Sequence, residues 1–150
     1  MTTHYEDDDA IERLARGMIG CALPKPEWTH AAHFATALWL IRHEEGAPPI
    51  EARMGGLIRR YNESVGGVNS DTEGYHETIT QASLAAARAV LAAHRPETPL
   101  HEVIDALMAG PLGRSDWPLA HWSKDRLFSV GARRAWVAPD LAPFNPQRPG

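Results

Sequence analysis

Three histidines carry the strongest indication of chemistry in this chain. Two lie three residues apart in Glu27-Trp28-Thr29-His30-Ala31-Ala32-His33, and the third stands in Gly74-Tyr75-His76-Glu77-Thr78. An imidazole is a poor core side chain unless both ring nitrogens find partners. Histidines on inward helix faces therefore point to a metal ion, a bound ligand or a hydrogen-bond network. Residues three apart are neighbours on a helix, so His30 and His33 can hold one ion together. His76 then completes a facial set of three imidazoles, leaving coordination positions open for water or substrate. Such a centre suits zinc for a water-activating reaction, or iron for oxygen chemistry. Glu77 is the expected general base or fourth ligand, with Glu27 as the alternative carboxylate. Trp28, Tyr75 and Thr80 are the expected ligand-binding neighbours, offering an apolar wall and two hydroxyls.

Two other readings fit the same residues. The histidines and aromatics can line a metal-free pocket for a small organic ligand. They can equally be buried, hydrogen-bonded residues of an interaction protein. Named motifs do not decide among the three. His76-Glu77-Thr78-Ile79-Thr80 begins like a helical zinc-protease motif but has threonine where the second histidine is needed. Asn69 to Gly74 begins like a calcium loop, yet its closing bidentate glutamate would fall on Thr80. Gly66-Gly67 lacks the lysine of a phosphate loop.

These side chains need helices to position them, and the sequence supplies helical signals throughout. Asp7 to Asp9 cap a first helix whose stripe is Ile11, Leu14, Ala15, Met18 and Ala22, ended by Pro24 and Pro26. A second helix is expected from about Trp28 to Glu44, with Phe34, Ala37, Leu38 and Ile41 inward. A third carries Ile50, Met54, Leu57, Ile58 and Tyr61. The fourth runs from about Tyr75 to Ala93, with His76, Ile79, Ser83, Ala86 and Val90 on its inward face. The fifth spans roughly Pro99 to Met108, with Leu100, Val103, Ile104 and Leu107 inward. A shorter helix is expected from Ser129 to Trp136. The result is an all-α, up-and-down helical bundle of four to five main helices, occupying residues 1–137 as one domain. An irregular proline-rich tail, residues 138–150, wraps on the surface or frays.

At 150 residues and 43% hydrophobic, the chain is large enough for a real core. A formal charge of −4 argues against broad nucleic-acid binding, which needs a basic face. The single cysteine, Cys21, excludes an intrachain disulfide and reads as a small buried apolar residue. The acidic start lacks the basic and apolar regions of a secretory signal, and no apolar run is long enough to span a bilayer. A cytoplasmic protein is the expectation, with apolar helix faces that leave room for a homodimer. The glycine-rich stretch from Asn62 to Gly74 reads either as a lid over the histidines or as a plain connector. Arg126, Arg133 and Arg134 are placed to pair with Glu77, with an anionic substrate, or with Asp140 to close the tail onto the body.

The two histidine motifs, taken with Leu127-Phe128-Ser129 and the run from Ala132 to Leu141, resemble a family of small, functionally uncharacterised bacterial proteins. That resemblance covers residues 27–33, 74–80 and 127–141 and implies no particular activity. A looser similarity is to the DinB-like helical bundles, whose metal is held by three histidines. Those proteins generally pair two histidines four residues apart on a late helix, whereas this chain places its pair three apart on an early one.

Overall fold

The computed structural model describes residues 2–146. Within them the chain is all-helical, with five substantial helices and two short ones. These are α1 (Asp8–Ile19), α2 (His30–Arg42), α3 (Ile50–Ser64), α4 (Glu77–Ala92), α5 (Leu100–Ala109), α6 (Lys124–Leu127) and α7 (Val130–Arg134). Single 3-10 turns at Lys25–Glu27, Pro111–Gly113 and Trp117–Ala120 fill three of the connections. No described helix is long and apolar enough to cross a membrane.

α2 is the centre of the bundle because its sequence is apolar on nearly every side. Ala32, Phe34, Ala35, Thr36, Ala37, Leu38, Leu40 and Ile41 are all buried. It packs against α1, α4 and α5, while α3 lies against α1 and α4. The expected inward residues of α2 and α5 are all buried, as are Ile11, Leu14, Ala15 and Met18 of α1. Fully burying a side chain such as Leu38 or Ile104 stabilises the fold by about 1.5–3 kcal/mol, so these stripes hold the bundle together. Ala22 departs from the expected stripe: α1 has already ended and the residue is exposed.

Caps are shared between helices where the local sequence cannot supply them. Asp7 caps α1 by accepting from the Ala10 N–H at 2.8 Å. α5 follows Pro99, which has no side-chain acceptor, and Asp8 fills the vacancy from α1. Its carboxylate accepts from the Leu100 and His101 N–H groups at 3.0 and 2.9 Å. The first turn of α1 therefore fixes where α5 begins.

The end of α1 shows a different compromise. The Ala22 N–H reaches the Gly17 carbonyl at 2.8 Å and the Cys21 N–H reaches Met18 at 3.1 Å. This pair of bonds closes a helix through one left-handed residue, usually glycine. Here that residue is Cys21, at φ +58°, and it is half-buried rather than buried. A β-carbon in that conformation costs about 1 kcal/mol or more. Cys21→Gly is therefore expected to raise the denaturant midpoint at unchanged slope, a gain of up to about 1 kcal/mol once glycine's greater unfolded-state freedom is subtracted. A lowered midpoint would mean that Cys21 packing outweighs the strain.

Candidate functional site

The three motif histidines go to different places. Thr29 caps α2, accepting from the Ala32 N–H at 3.1 Å, and so sets His30 and His33 on the first turn. The His30 ring meets Phe34 edge-on, with centroids 5.4 Å apart. Its Nε2–H donates to the Leu112 carbonyl at 2.7 Å and fixes the Pro111–Gly113 turn against α2. The His33 ring lies instead against Trp28, with centroids 4.1 Å apart, and Trp28 in turn packs on Tyr61. Crowding around the His33 ring, followed by repulsion from His30, lowers its pKa to about 4. The residue nonetheless keeps an exposed edge, and water there works against that depression.

His76 lies at the opposite end of this distribution, buried at 7% exposure. It is the cap of α4: its Nδ1 accepts from the Ile79 N–H at 3.1 Å, the role usually filled by serine, threonine or aspartate. Its Nε2–H donates to the Leu127 carbonyl at 2.6 Å. One nitrogen accepting and the other donating defines the neutral ring with the proton on Nε2. Burial favours that neutral form and lowers the His76 pKa, and Arg133 adds repulsion against charging. Among the described residues, no three His, Cys, Asp or Glu side chains gather into a group able to hold a metal ion.

Of the other expected site residues, Tyr75, Glu77 and Thr80 lie together between α3 and α4, while Trp28 stays with His33 and Tyr61. The buried Tyr75 hydroxyl donates a short hydrogen bond to Glu77, and the Arg59 guanidinium lies 4.3 Å over its ring. Burial first, and then the Glu77 carboxylate, raise the Tyr75 pKa. Thr80 Oγ1 donates to the His76 carbonyl at 2.8 Å. Gly55 of α3 is the residue that makes room, since a β-carbon there would stand 3.1 Å from the Tyr75 oxygen. Further along the same interface Arg88 binds Glu44 at 2.7 Å and Glu51 at 2.5 Å, tying α4 to the start of α3. Tyr75, Glu77 and Thr80 thus form a closed polar seam, separate from Trp28 and His33.

The motif around His76 also anchors the C-terminal segment. Thr78 is fully buried, and its hydroxyl reaches the Ala132 and Ala135 carbonyls at 2.8 and 2.9 Å while accepting from the Val137 N–H at 3.2 Å. Arg133 donates to the Gly74 carbonyl at 3.0 Å, and Arg134 grips Asp71 through two bonds of 2.7 Å. Asn69 accepts from the Tyr75 N–H at 3.0 Å and donates to the Arg59 carbonyl at 3.1 Å. Gly74 at φ +85° closes the loop so tightly that a β-carbon would fall 2.3 Å from the Val68 carbonyl. α3 runs on through Ser64, and the connector that follows it, residues 65–76, is fastened by Asn69, Arg133 and Arg134.

Residues 138–146 of the tail fold back onto the body, and residues 147–150 lie outside the described residues. Asp140 accepts from the Ser123 N–H and hydroxyl, both at 2.7 Å, rather than from an arginine guanidinium. Trp122, fully buried, donates to the Val137 carbonyl at 2.9 Å. Phe144 returns onto Trp117, His121 and Trp122, with ring centroids 5.3–5.8 Å away.

This folding-back of the tail creates a cavity that the sequence reading did not assign. It holds about 490 Å³ between α4, α5, the Pro111–Gly113 turn and the tail. Ala86, Ala89 and Val90 form one wall, Leu107 and Leu112 another, and Phe144 a third. Two histidines, His94 and His121, are among its polar lining. The Nδ1–H of His94 donates to the Val90 carbonyl at 2.8 Å, and that of His121 donates to Pro143 at 3.0 Å. His94 follows the Ala86–Val90 stripe at four-residue spacing, just past the end of α4. His121 and Phe144 were not legible in the sequence, because only the return of the tail brings them there. None of Trp28, Tyr75 and Thr80 lines this cavity.

No family model, curated protein or solved structure matches the chain.

The paired bonds of His76 generate a pH dependence with a definite sign. The pKa values of His76 and His33 are lowered from 6.5 in the fold, so below about pH 6.5 the unfolded chain binds more protons. Their contribution is present above that pH and is lost as pH falls toward the depressed folded values. The melting temperature is expected to drop between about pH 7.5 and 5.5, and His76→Gln is expected to flatten part of that slope. His76→Ala at neutral pH is expected to cost roughly 2–3 kcal/mol, the sum of a lost cap and an orphaned buried carbonyl. A flat melting profile over that range would contradict the assignment.

Proposed function

We propose that this protein is a binding module for a small molecule with a largely apolar body, received in the cavity between α4, α5 and the C-terminal tail. The observation that carries the reading is the cavity itself. Its volume of about 490 Å³ lies in the range of small-molecule sites. Its walls combine alanine, valine and leucine side chains with a few polar groups, the composition that lets apolar contact supply affinity and hydrogen bonds supply orientation.

The motif histidines support this reading indirectly. His30 holds Leu112, one wall of the cavity, through the bond to its carbonyl. His76 and Thr78 hold the segment from Leu127 to Val137, from which the tail runs on to Phe144. The residues that looked most chemical in the sequence thus act as fasteners of the frame around the cavity. A centre of zinc or iron on His30, His33 and His76 would require His76 to release one of its two partners, since both of its ring nitrogens are engaged. The binding-module reading uses the bonds as they stand.

A neutral dye tests the proposal. Nile red fluorescence is expected to rise on titration with the protein, and ligand binding is expected to raise the melting temperature. Ala89→Trp places an indole in the cavity from an α4 position on its wall. It is expected to weaken Nile red binding at least about tenfold while circular dichroism stays that of the parent. Equal dye binding by the parent and Ala89→Trp would exclude this cavity as the site.

A further inference from the structure

The lining of the cavity selects among ligands, and this selection rests on the binding-module reading above. Among the residues that line it, the side chains with hydrogen-bonding groups are His94, His121 and Asn145. No aspartate, glutamate, lysine or arginine lines it. An ammonium head would therefore find no carboxylate partner, and a carboxylate head would meet no like charge. Each imidazole has already committed Nδ1–H to a backbone carbonyl, His94 to Val90 and His121 to Pro143. Nε2 is then the remaining polar atom of each ring, and neither has a hydrogen-bond partner among the described residues. A fixed Nδ1–H leaves Nε2 with a lone pair, ready to take up a proton.

From this geometry we infer that the cavity takes a medium-chain organic acid, its carboxyl group held at Nε2 of His94 or His121 and its chain laid along the alanine face of α4. Binding of the carboxylate takes up one proton from solvent onto Nε2, and the imidazolium Nε2–H then donates a charge-assisted bond to the carboxylate. An alcohol of the same length donates to the same nitrogen only as a neutral partner, and such a bond is about half as strong. Size is consistent with this class. At about 30 Å³ per water-sized group, some 490 Å³ accommodates roughly 16 such groups, enough for a ten-carbon acid. The apolar wall of Ala86, Ala89 and Val90 runs as one stripe toward His94, so a chain lying on it ends at an imidazole.

Displacement of bound Nile red from the full chain by decanoate, decanol and decylamine tests the inference. Decanoate is expected to displace the dye at least about tenfold more tightly than decanol, with decylamine weakest. In the double variant His94→Leu/His121→Leu, the ratio of decanoate to decanol affinity is expected to fall to about one. The comparison of three ligands on the parent protein needs no variant, so it remains decisive if the double variant fails to fold. Decanol or decylamine binding as tightly as decanoate would overturn the acid assignment while leaving the cavity as a binding site. A preference for decanoate that survives the double variant would overturn the role of the imidazoles. Failure of Nile red to bind, or its equal binding to Ala89→Trp, would instead sink the underlying reading.

Discussion

The imidazole of His76 joins the two parts of this structure that the chain itself keeps apart. One nitrogen starts α4 by accepting from Ile79, and the other reaches across to the Leu127 carbonyl, 51 residues away. Only a neutral ring with its proton on Nε2 can do both at once. Serine or aspartate would cap the helix equally well, but neither carries a donor on a rigid ring at that distance from the acceptor. The choice of histidine therefore follows from a constraint in two directions. Thr78, two residues on, repeats the arrangement by fastening Ala132, Ala135 and Val137 with one hydroxyl.

From that joint the rest of the C-terminal third is built outward. Arg133 and Arg134 return to Gly74 and Asp71, so the connector before α4 and the segment after α6 hold each other. Trp122 and Asp140 then bring the tail back, and Phe144 comes to rest on the tryptophans and His121. The cavity exists because this return leaves a gap over the alanine face of α4. Small side chains that would otherwise admit a neighbouring helix leave that space open here. His30 contributes from the other side by holding the turn that carries Leu112.

Much of the helical bundle was legible because it rests on periodicity. The stripes of α2 and α5, and that of α1 as far as Met18, bury as their spacing requires, and Pro24, Pro26, Gly46, Pro48, Pro49 and Pro96 fall in the connections between helices. The caps were partly legible: Asp7 precedes α1 and Thr29 precedes α2, but nothing local announces that Asp8 caps α5 from 92 residues away. The histidine motifs announced that these rings needed partners. They did not announce which partners, because a backbone carbonyl carries no signature in the sequence. Spacing brought His30 and His33 onto one helical turn, yet their rings diverge to Leu112 and Trp28. Tyr75, Glu77 and Thr80 lie together because they are neighbours in sequence at the start of α4, whereas Trp28 packs apart on His33 and Tyr61. The cavity was hidden because two of its walls come from segments without period, the turn at Pro111 and the tail at Phe144.

The central claim, that His76 is a neutral fastener with both ring nitrogens engaged, is tested most directly by its own protonation state. Long-range proton–nitrogen correlation spectroscopy on nitrogen-15-labelled protein reads both ring nitrogens separately. The account predicts an unprotonated Nδ1 and a protonated Nε2 at neutral pH, with the Nε2 proton slow to exchange because it is buried against Leu127. A ring protonated on Nδ1, or an Nε2 proton exchanging as fast as that of an exposed histidine, would contradict it.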